Sequence, residues 1–587
     1  MPRARRPAVS LFDRLLSPGI GLVAPLALLL APFTAFPAAA QPITVTGGQQ
    51  INVLPGSTGT ADSILVSGKS DDPFSRSTYN LAGSLTLTSG GGVATVSDFG
   101  ILNVGPTGTL ASAAGYAEVT TDGFLQASGS VSIADGVFVY DGGQVAIGAA
   151  GNITGAMLYV AGASAFSRAA GGTYTVGTLS IAESAAVNFA AGDTVSTDVL
   201  VDSSATLTLA ADLAIPAGTL YLTGGGAVSR SSQSITAATL DVGTDSSLAI
   251  LAGDDFTNVL LQSGGQATAA APLSLAGLTV TGAAGTVPSS LVAADTLTIT
   301  GSGAVTVSDG GLVSASGGIV GDGGTTVSVT GVDSRLATGA ASGLDSVTVA
   351  TGGVLETLSG VFAADTLSLS GAGAYVRTGG GYQVAGLQLA GGTLDFTAAD
   401  LVTGDISVTD SATLALLDNL SLSGNLVLDH GGALTRSAET IAVGGLFISD
   451  NASLALLAGD SIGVLDIATG ASVSAAAQLV LTSLSIDNSG ALLDLQSFGG
   501  STGQIAWALQ VAGDQKSILQ GYLASGRITT ASTPHAVTAV YDLATYGNVT
   551  YVGYFTAVPE PSTSVLVAAG LAGVVLARRL ARDRKRC

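Results

Sequence analysis

The chain has 587 residues, with 19 Lys and Arg against 41 Asp and Glu, and its formal net charge is −22. So acidic a chain excludes nucleic acid and anionic lipid headgroups as partners of the body, because neutralising phosphates requires Lys and Arg. Cys587 is the single cysteine, which excludes an internal disulfide and a thiolate metal site.

The first 40 residues predict a secretory signal peptide with an N-terminal signal helix. An apolar run from Ile20 to Leu30 follows a basic start, and Ala38 and Ala40 precede Gln41 in the small-x-small pattern of a cleavage site. The basic start is formed by Arg3, Arg5, Arg6 and Arg14. An uncleaved N-terminal anchor is the alternative, and Pro25 inside the apolar run disfavours it.

Residues 41–485 predict an all-β fold, a parallel β-helix (β-solenoid) built from short strands. Segments such as Ser84 to Thr88 and Thr326 to Thr330 alternate apolar or β-branched residues with Ser and Thr, and glycine closes them. The period of two places one face of each strand inside and the other outside.

Internal repeats support a solenoid and set its coil length. Ser247 to Asp254 returns as Ser453 to Asp460 at an offset of 206 (460 − 254). Separations between successive arginines from Arg168 to Arg436 lie near multiples of about 20 to 21, the length of one coil. About 21 coils at about 4.8 Å then give a rod on the order of 100 Å long, with insertions before Arg168. The pattern is similar to the repeats of autotransporter passengers, although no C-terminal barrel pattern is present.

The interior arginines have two interpretations. The five are Arg168, Arg230, Arg335, Arg377 and Arg436. They form either a stripe that binds carbohydrate or anions, or coil-edge residues that each pair with a neighbouring carboxylate, and we favour the second.

Residues 486–557 predict a small C-terminal cap, richer in large apolar and aromatic residues than the rod. Ser517 to Leu523 predicts a short helix, and Val537 to Leu543 and Asn548 to Phe555 predict strands. Gln41 to Leu54 is the expected cap at the other end. The aromatic residues of the C-terminal cap offer a sugar-stacking site or, preferably, core packing; they are Trp507, Tyr522, Tyr541 and Tyr546.

The last 30 residues, 558–587, combine three features in a fixed order. The first is a stiff polar motif, Val558, Pro559, Glu560, Pro561 and Ser562, whose prolines fix φ and remove backbone donors. Residues 562–577 then predict a C-terminal transmembrane helix, short against a hydrocarbon core of about 30 Å. A basic cluster follows at Arg578, Arg579, Arg582, Arg584, Lys585 and Arg586, and it favours a cytoplasmic end.

This tail resembles the PEP-CTERM sorting signal of bacterial envelope proteins. Pro559, Glu560 and Pro561 carry the motif, and Arg578 and Arg579 begin its basic cluster. The resemblance implies export to the envelope or surface of a Gram-negative-type bacterium, membrane association, and cleavage by an exosortase, a membrane transpeptidase-like enzyme. An ordinary single-pass anchor is the alternative.

The body offers no recognisable catalytic or metal motif, so we expect no cofactor and no enzyme activity. His430, in the turn Asp429-His430-Gly431, and His535 are far apart in sequence, and neither has a metal-ligand partner at a useful spacing. Gly459-Asp460 resembles part of a calcium-binding repeat but lacks the tandem nine-residue spacing. Asp254 and Asp255 would point to opposite faces of one strand, which weakens them as a catalytic pair.

Three functions remain open for the exported body. The first is a structural or interaction protein of the envelope, active in adhesion or extracellular matrix. The second is an extracellular enzyme that acts on polysaccharide, which requires carboxylates converging in a groove. The third is an autotransporter-like passenger released to the medium.

Overall fold

The rod is a parallel β-solenoid of about 22 turns. A computed structural model describes residues 41–68, 76–88, 92–282, 288–498, 500–502, 505–530, 536–542, 548–555 and 574–579. Each turn passes through three faces, and Ile43–Thr46, Gln50–Val53 and Thr58–Ala61 begin faces one, two and three. The first, second and third corners follow the faces of the same number.

Among the described residues, faces one and three form one 29-stranded sheet, because in many coils a single long strand bends around the third corner. Its strands are Ile43–Thr46, Thr58–Ala61, Ile64–Ser67, Ser84–Leu87, Ala94–Ser97, Thr109–Ser112, Tyr116–Val119, Ser130–Ile133, Gly136–Val139, Asn152–Ala161, Thr173–Ala182, Thr194–Val195, Val199–Val201, Leu213–Leu222, Ile235–Val242, Asp255–Gln262, Leu273–Thr281, Leu297–Ser308, Ile319–Thr330, Ala341–Ala350, Val361–Ser370, Gly381–Ala390, Leu401–Val402, Ile406–Thr409, Leu420–Ser421, Asn425–Leu428, Ile441–Ile448, Ser461–Ile467 and Ser483–Ile486.

Face two is divided into four successive parallel sheets. Its strands are Gln50–Val53, Thr78–Leu81, Ile101–Val104, Phe124–Ala127, Gln144–Ile147, Ala165–Arg168, Ala186–Phe189, Thr206–Leu209, Ala227–Ser229, Ser247–Ile250, Gln266–Ala269, Ser290–Ala293, Leu312–Ala315, Arg335–Thr338, Val354–Thr357, Ala374–Arg377, Thr393–Phe396, Thr413–Leu416, Ala433–Thr435, Ser453–Leu456, Ser472–Ala475, Leu492–Leu495 and Ile528–Thr530.

The register confirms the predicted coil length. Val347, Leu367 and Leu387 are consecutive partners on face one, at offsets of 20 residues (367 − 347 and 387 − 367). Larger offsets mark insertions, as predicted ahead of Arg168: Ile64 pairs with Ala94, an offset of 30 (94 − 64).

The core is a set of inward ladders that follow from the alternating sequence. In Ser84–Leu87 the two leucines are buried, Ser84 is partly exposed and Thr86 is exposed. Thr206–Leu209 repeats the same pattern. Stacking places like residues above one another, so each inward Val, Leu or Ile is removed from water by packing against an apolar residue of the next coil.

The backbone conformation of the first corner favours acidic residues there. Its two central residues commonly have left-handed backbone, as at Asp410 (φ 52°) and Ser411 (φ 62°). Asp and Asn tolerate this conformation better than other side chains that carry a Cβ. Carboxylates therefore recur along this corner, and Glu183, Asp202 and Asp141 add to burial in raising the pKa of Tyr159.

In the residues that the structure describes, the C-terminal module closes the rod with a mixed sheet, whose one parallel pairing is with the rod strand Leu479–Leu481, and with one helix. Its sheet contains Leu479–Leu481, Gly500–Thr502, Ile505–Ala512, Thr538–Asp542 and Val549–Phe555, and its helix is Lys516–Ala524. The helix and the last two strands agree with the sequence prediction.

The ends of the rod differ from the prediction in detail. Leu492–Leu495, which we assigned to the cap, continues the parallel ladder of face two, and the module then returns Ile528–Thr530 to the same ladder. Ile43–Thr46 and Gln50–Val53, predicted as a cap, instead pair in parallel as part of the first coil. Their alternating pattern is that of every other coil, which is why they pair in this way.

Candidate functional site

The sorting tail lies almost wholly outside the described residues. Val558 to Ser562 and the basic residues after Arg579 belong to this outside part, as do Ala38 and Ala40 of the predicted signal cleavage site. Residues 574–579 are helical and include Arg578 and Arg579. Among the residues that the structure describes, no helix has the length and apolarity needed to cross a bilayer.

Each of the five arginines from Arg168 to Arg436 pairs with a carboxylate of the next coil. The pairs are Arg168 with Asp193, Arg230 with Asp254, Arg335 with Glu356, Arg377 with Asp400, and Arg436 with Asp460. The structure therefore agrees with the preferred interpretation, pairing at the coil edge. Four of these arginines end or directly follow a strand of face two, so their pairs lie at the second corner.

The Arg230 pair has the geometry of a buried bidentate ion pair. Its guanidinium contacts both carboxylate oxygens of Asp254 at 2.5 Å, and the two side chains are 4% and 0% exposed. The amides of Ile235 and Leu251 donate to the same carboxylate, each at 2.8 Å. The carboxylate thus joins its own turn to two elements of the preceding coil, and we name this arrangement the second-corner clasp.

The clasp assigns a structural role to the Gly-Asp pairs. Asp460 of Gly459-Asp460 accepts from Arg436 at 2.6 Å and from the amides of Ile441 and Leu457 at 2.9 and 2.7 Å. At the corresponding Asp193, burial raises the pKa of the carboxyl, opposed by two backbone amides and Arg168.

The clasps also show that the duplication extends beyond the matching sequence blocks. Arg230 and Arg436 are 206 residues apart, and Arg168 and Arg377 are 209 apart (377 − 168). Both members of the second pair adjoin a buried tyrosine, Tyr174 or Tyr382. The same coils are therefore built twice along the rod.

His430 lies at the first corner between two aspartates. Its Nδ1 lies 2.7 Å from Oδ2 of Asp429, and its Nε2 lies 3.3 Å from Oδ2 of Asp450 in the next coil. Ligating atoms of these three residues all lie within 4.8 Å of one another. The hydrogen bond with Asp429, and then its charge and those of Asp450 and Asp410, raise the pKa of His430.

Sequence reasoning missed this cluster. Local spacings around His430 do not reach Asp450, which is 20 residues away (450 − 430), one coil length. Aligning the first corners by coil length would have found it. His535 lies outside the described residues.

The aromatic residues of the cap do not form one surface. Trp507 packs on a tyrosine of the adjacent strand, with ring centroids 5.5 Å apart. The Tyr522 hydroxyl accepts a hydrogen bond from a rod amide (3.2 Å), and the Tyr541 hydroxyl donates to an asparagine (2.9 Å). Tyr546 lies outside the described residues. The three described rings thus have separate packing partners.

A shallow groove of about 300 Å³ runs along the third corner. Small residues and leucine or valine form most of it, and its polar lining includes Asp365, Gln383 and Thr403. Asp365 is the one carboxylate among the residues that line this groove.

Comparison with known proteins agrees with the interpretation of the tail. Residues 557–580 match the model of the PEP-CTERM protein-sorting motif. No curated protein matches the chain. A motif of this kind implies an exported protein that is processed by an exosortase and associated with the membrane, and here the motif follows a β-helix scaffold.

Proposed function

We propose that this protein is a structural or interaction rod of the cell envelope, active in adhesion or extracellular matrix and delivered by its C-terminal sorting signal. The observation that carries the proposal is the use of the rod's charged residues in stacking. All five arginines between residues 168 and 436 bind a carboxylate one coil away, and the aspartates of four clasps also bind backbone amides.

Membrane processing is tested at the tail. Mass spectrometry of the mature C-terminus in the native host should find a new end near Pro559 to Pro561. Replacing Glu560 by Ala together with Arg578 and Arg579 by Ala should leave the rod folded and lower its delivery to the surface. The control changes the same residue types in the body, Arg335→Ala with Glu356→Ala, and should be delivered normally. An intact Cys587 on mature surface protein would overturn processing.

A passenger-like release differs from an envelope rod in where the mature protein accumulates. Fractionation into membrane, surface and medium should place the processed chain in the first two fractions. Accumulation of nearly all of it in the medium would favour the released passenger instead.

A polysaccharide-acting enzyme is the second candidate, and the groove at the third corner is the observation that favours it. Asp365 is available there, although glycoside hydrolysis commonly uses two carboxylates that flank the bond. The purified full-length chain is incubated with soluble polysaccharides, and new reducing ends are measured. We expect none above the Asp365→Asn control, and release that this substitution abolishes would establish the enzyme.

A further inference from the structure

The duplicated coils provide an internal comparison for the His430 corner. At the offset of 206 that aligns Arg230 with Arg436, Thr223-Gly224 corresponds to Asp429-His430. Gly224 and His430 have the same left-handed backbone, with φ of 58° and 48°. Glycine is the usual residue in this conformation. The turn therefore forms with Thr-Gly in the earlier copy. In the later copy histidine occupies a position where its side chain is not needed for the turn.

The imidazole is oriented from one side. Asp429 Oδ1 accepts from the Ser449 hydroxyl (2.5 Å) and from the His430 amide (2.9 Å), which fixes the carboxylate. Its Oδ2 faces Nδ1 at 2.7 Å. With the proton on Nδ1, the lone pair of Nε2 is directed at Asp450. A carboxylate on the far nitrogen is the usual support of a histidine that ligates a metal.

We propose that Asp429, His430 and Asp450 form a binding site for a divalent transition-metal ion of the zinc class. Nε2 and Asp450 Oδ2 are the ligands and solvent completes the shell, while Asp429 is the positioning residue. Two ligands 3.3 Å apart and each about 2.1 Å from an ion subtend about 104°, close to the tetrahedral angle of about 109°.

The donor set selects the class of ion. An imidazole nitrogen suits zinc, copper and nickel, whereas calcium and magnesium are bound by sets of oxygen ligands. The side chain of His430 is 60% exposed, so an ion reaches it from solvent without opening the rod. Asp410 lies one coil before His430 and adds negative charge to the same corner.

Copper reports the type of ligand atom directly. Cu²⁺ is added at one equivalent to the purified full-length chain in detergent, and electron paramagnetic resonance should show coupling to one imidazole nitrogen. His535→Ala removes the other histidine of the chain and should leave this signal unchanged. His430→Gly should abolish it. A spectrum with oxygen ligands only, or one lost with His535, would overturn the proposal.

Zinc binding measures the affinity of the site, and the residues of the corresponding corner at Thr223-Gly224 provide a matched control. Equilibrium dialysis should find one zinc per chain fewer in the variant Asp429→Thr, His430→Gly, Asp450→Thr, which carries the residues of the first copy. Asp429→Asn should weaken binding about 10- to 100-fold, as loss of a supporting carboxylate does. Equal zinc in the wild type and the first variant would overturn the site.

Discussion

Individual charged residues in this rod fall into two physical classes. Arg230 and Arg436 are 4% exposed and bind carboxylates that are almost fully buried, whereas Arg335 is 52% exposed. A buried charge left without its partner costs far more than a surface pair contributes. The clasps therefore hold neighbouring coils together, whereas the exposed Arg335 forms a surface ion pair that contributes little to stability.

Arg230→Ala should weaken its corner by about 3–5 kcal/mol, because Asp254 would remain buried without its cation. Hydrogen exchange of the peptide covering residues 227–256 measures the free energy of local opening. Arg335→Ala is the control, and its effect should stay within about 1 kcal/mol. Equal losses for the two variants would contradict the assignment of the clasp.

Acid should release the turn held by Glu439. Three backbone amides, its own and those of Ser437 and Ala438, lower the pKa of Glu439 to about 2. A lowered pKa means that the stabilisation is present above the ordinary value of 4.5 and is lost as the pH falls toward 2. The exchange protection of the Ser437 and Ala438 amides should therefore fall over this range.

The corresponding turn of the earlier copy, at Gln233, provides the comparison for the effect of acid on the Glu439 turn. Gln233 accepts from the amides of Ser231 and Ser232 at 2.9 and 3.2 Å, and it does not titrate. The protection of those two amides should stay constant between pH 5 and 2, and Glu439→Gln should behave in the same way. A parallel fall at both turns would show that acid acts elsewhere.

The corners are the elements in which stacked backbones approach most closely. In several coils the last residue of the first corner is glycine, and a Cβ there would meet a carbonyl of the coil below. At Gly226 the carbonyl oxygen of Val201 would lie 2.0 Å from that atom, and at Gly432 the oxygen of Val408 would lie 1.9 Å away. Coil spacing at these corners therefore depends on the missing side chain.

Gly226→Ala should destabilise its coil by about 1–3 kcal/mol, as overpacking does, because backbone must move to admit the methyl group. Gly521→Ala is the control: nothing lies within 4 Å of its Cβ position, and it is inside the helix Lys516–Ala524. That change should stabilise by about 0.5–1 kcal/mol. Exchange rates of the two regions distinguish the outcomes.

At the scale of the whole molecule, the duplication makes the rod's length adjustable. Arg230 and Arg436 occupy equivalent points of two coils, with the same partners in the next coil. The segment between them, residues 231–436, has 206 residues (436 − 230), or about ten coils of about 20. Removing it would bring Arg230 next to Ser437, and Asp460 would then complete the clasp.

Deletion of residues 231–436 should give a folded rod about 48 Å shorter, at about 4.8 Å per coil. Small-angle X-ray scattering measures the maximum dimension, and sorting should be unchanged because the tail is intact. Deletion of residues 231–426 is the control: it joins non-equivalent points of two coils and should disturb stacking. Equal folding of both deletions would contradict the register.

The scaffold was largely predictable because each of its rules is local. Alternation identifies strands, glycine identifies corners, and the arginines repeat with the coil because each of the four clasp arginines occupies the same corner. Leu492–Leu495 has rod-like alternation inside an aromatic segment, and it continues the ladder of face two beyond residue 485. Asp450 and His430 meet only through stacking, so the pattern around either residue alone does not reveal the site.

Contacts in this fold mostly join residues about one coil apart, as Val347 and Leu367 are. Such short separations keep the entropy of ring closure low. A chain that emerges end first can therefore complete one turn before the next is available, and each finished turn serves as the template for its successor. Growth of this kind leaves only a single unfinished tip at any moment, whatever the final number of turns.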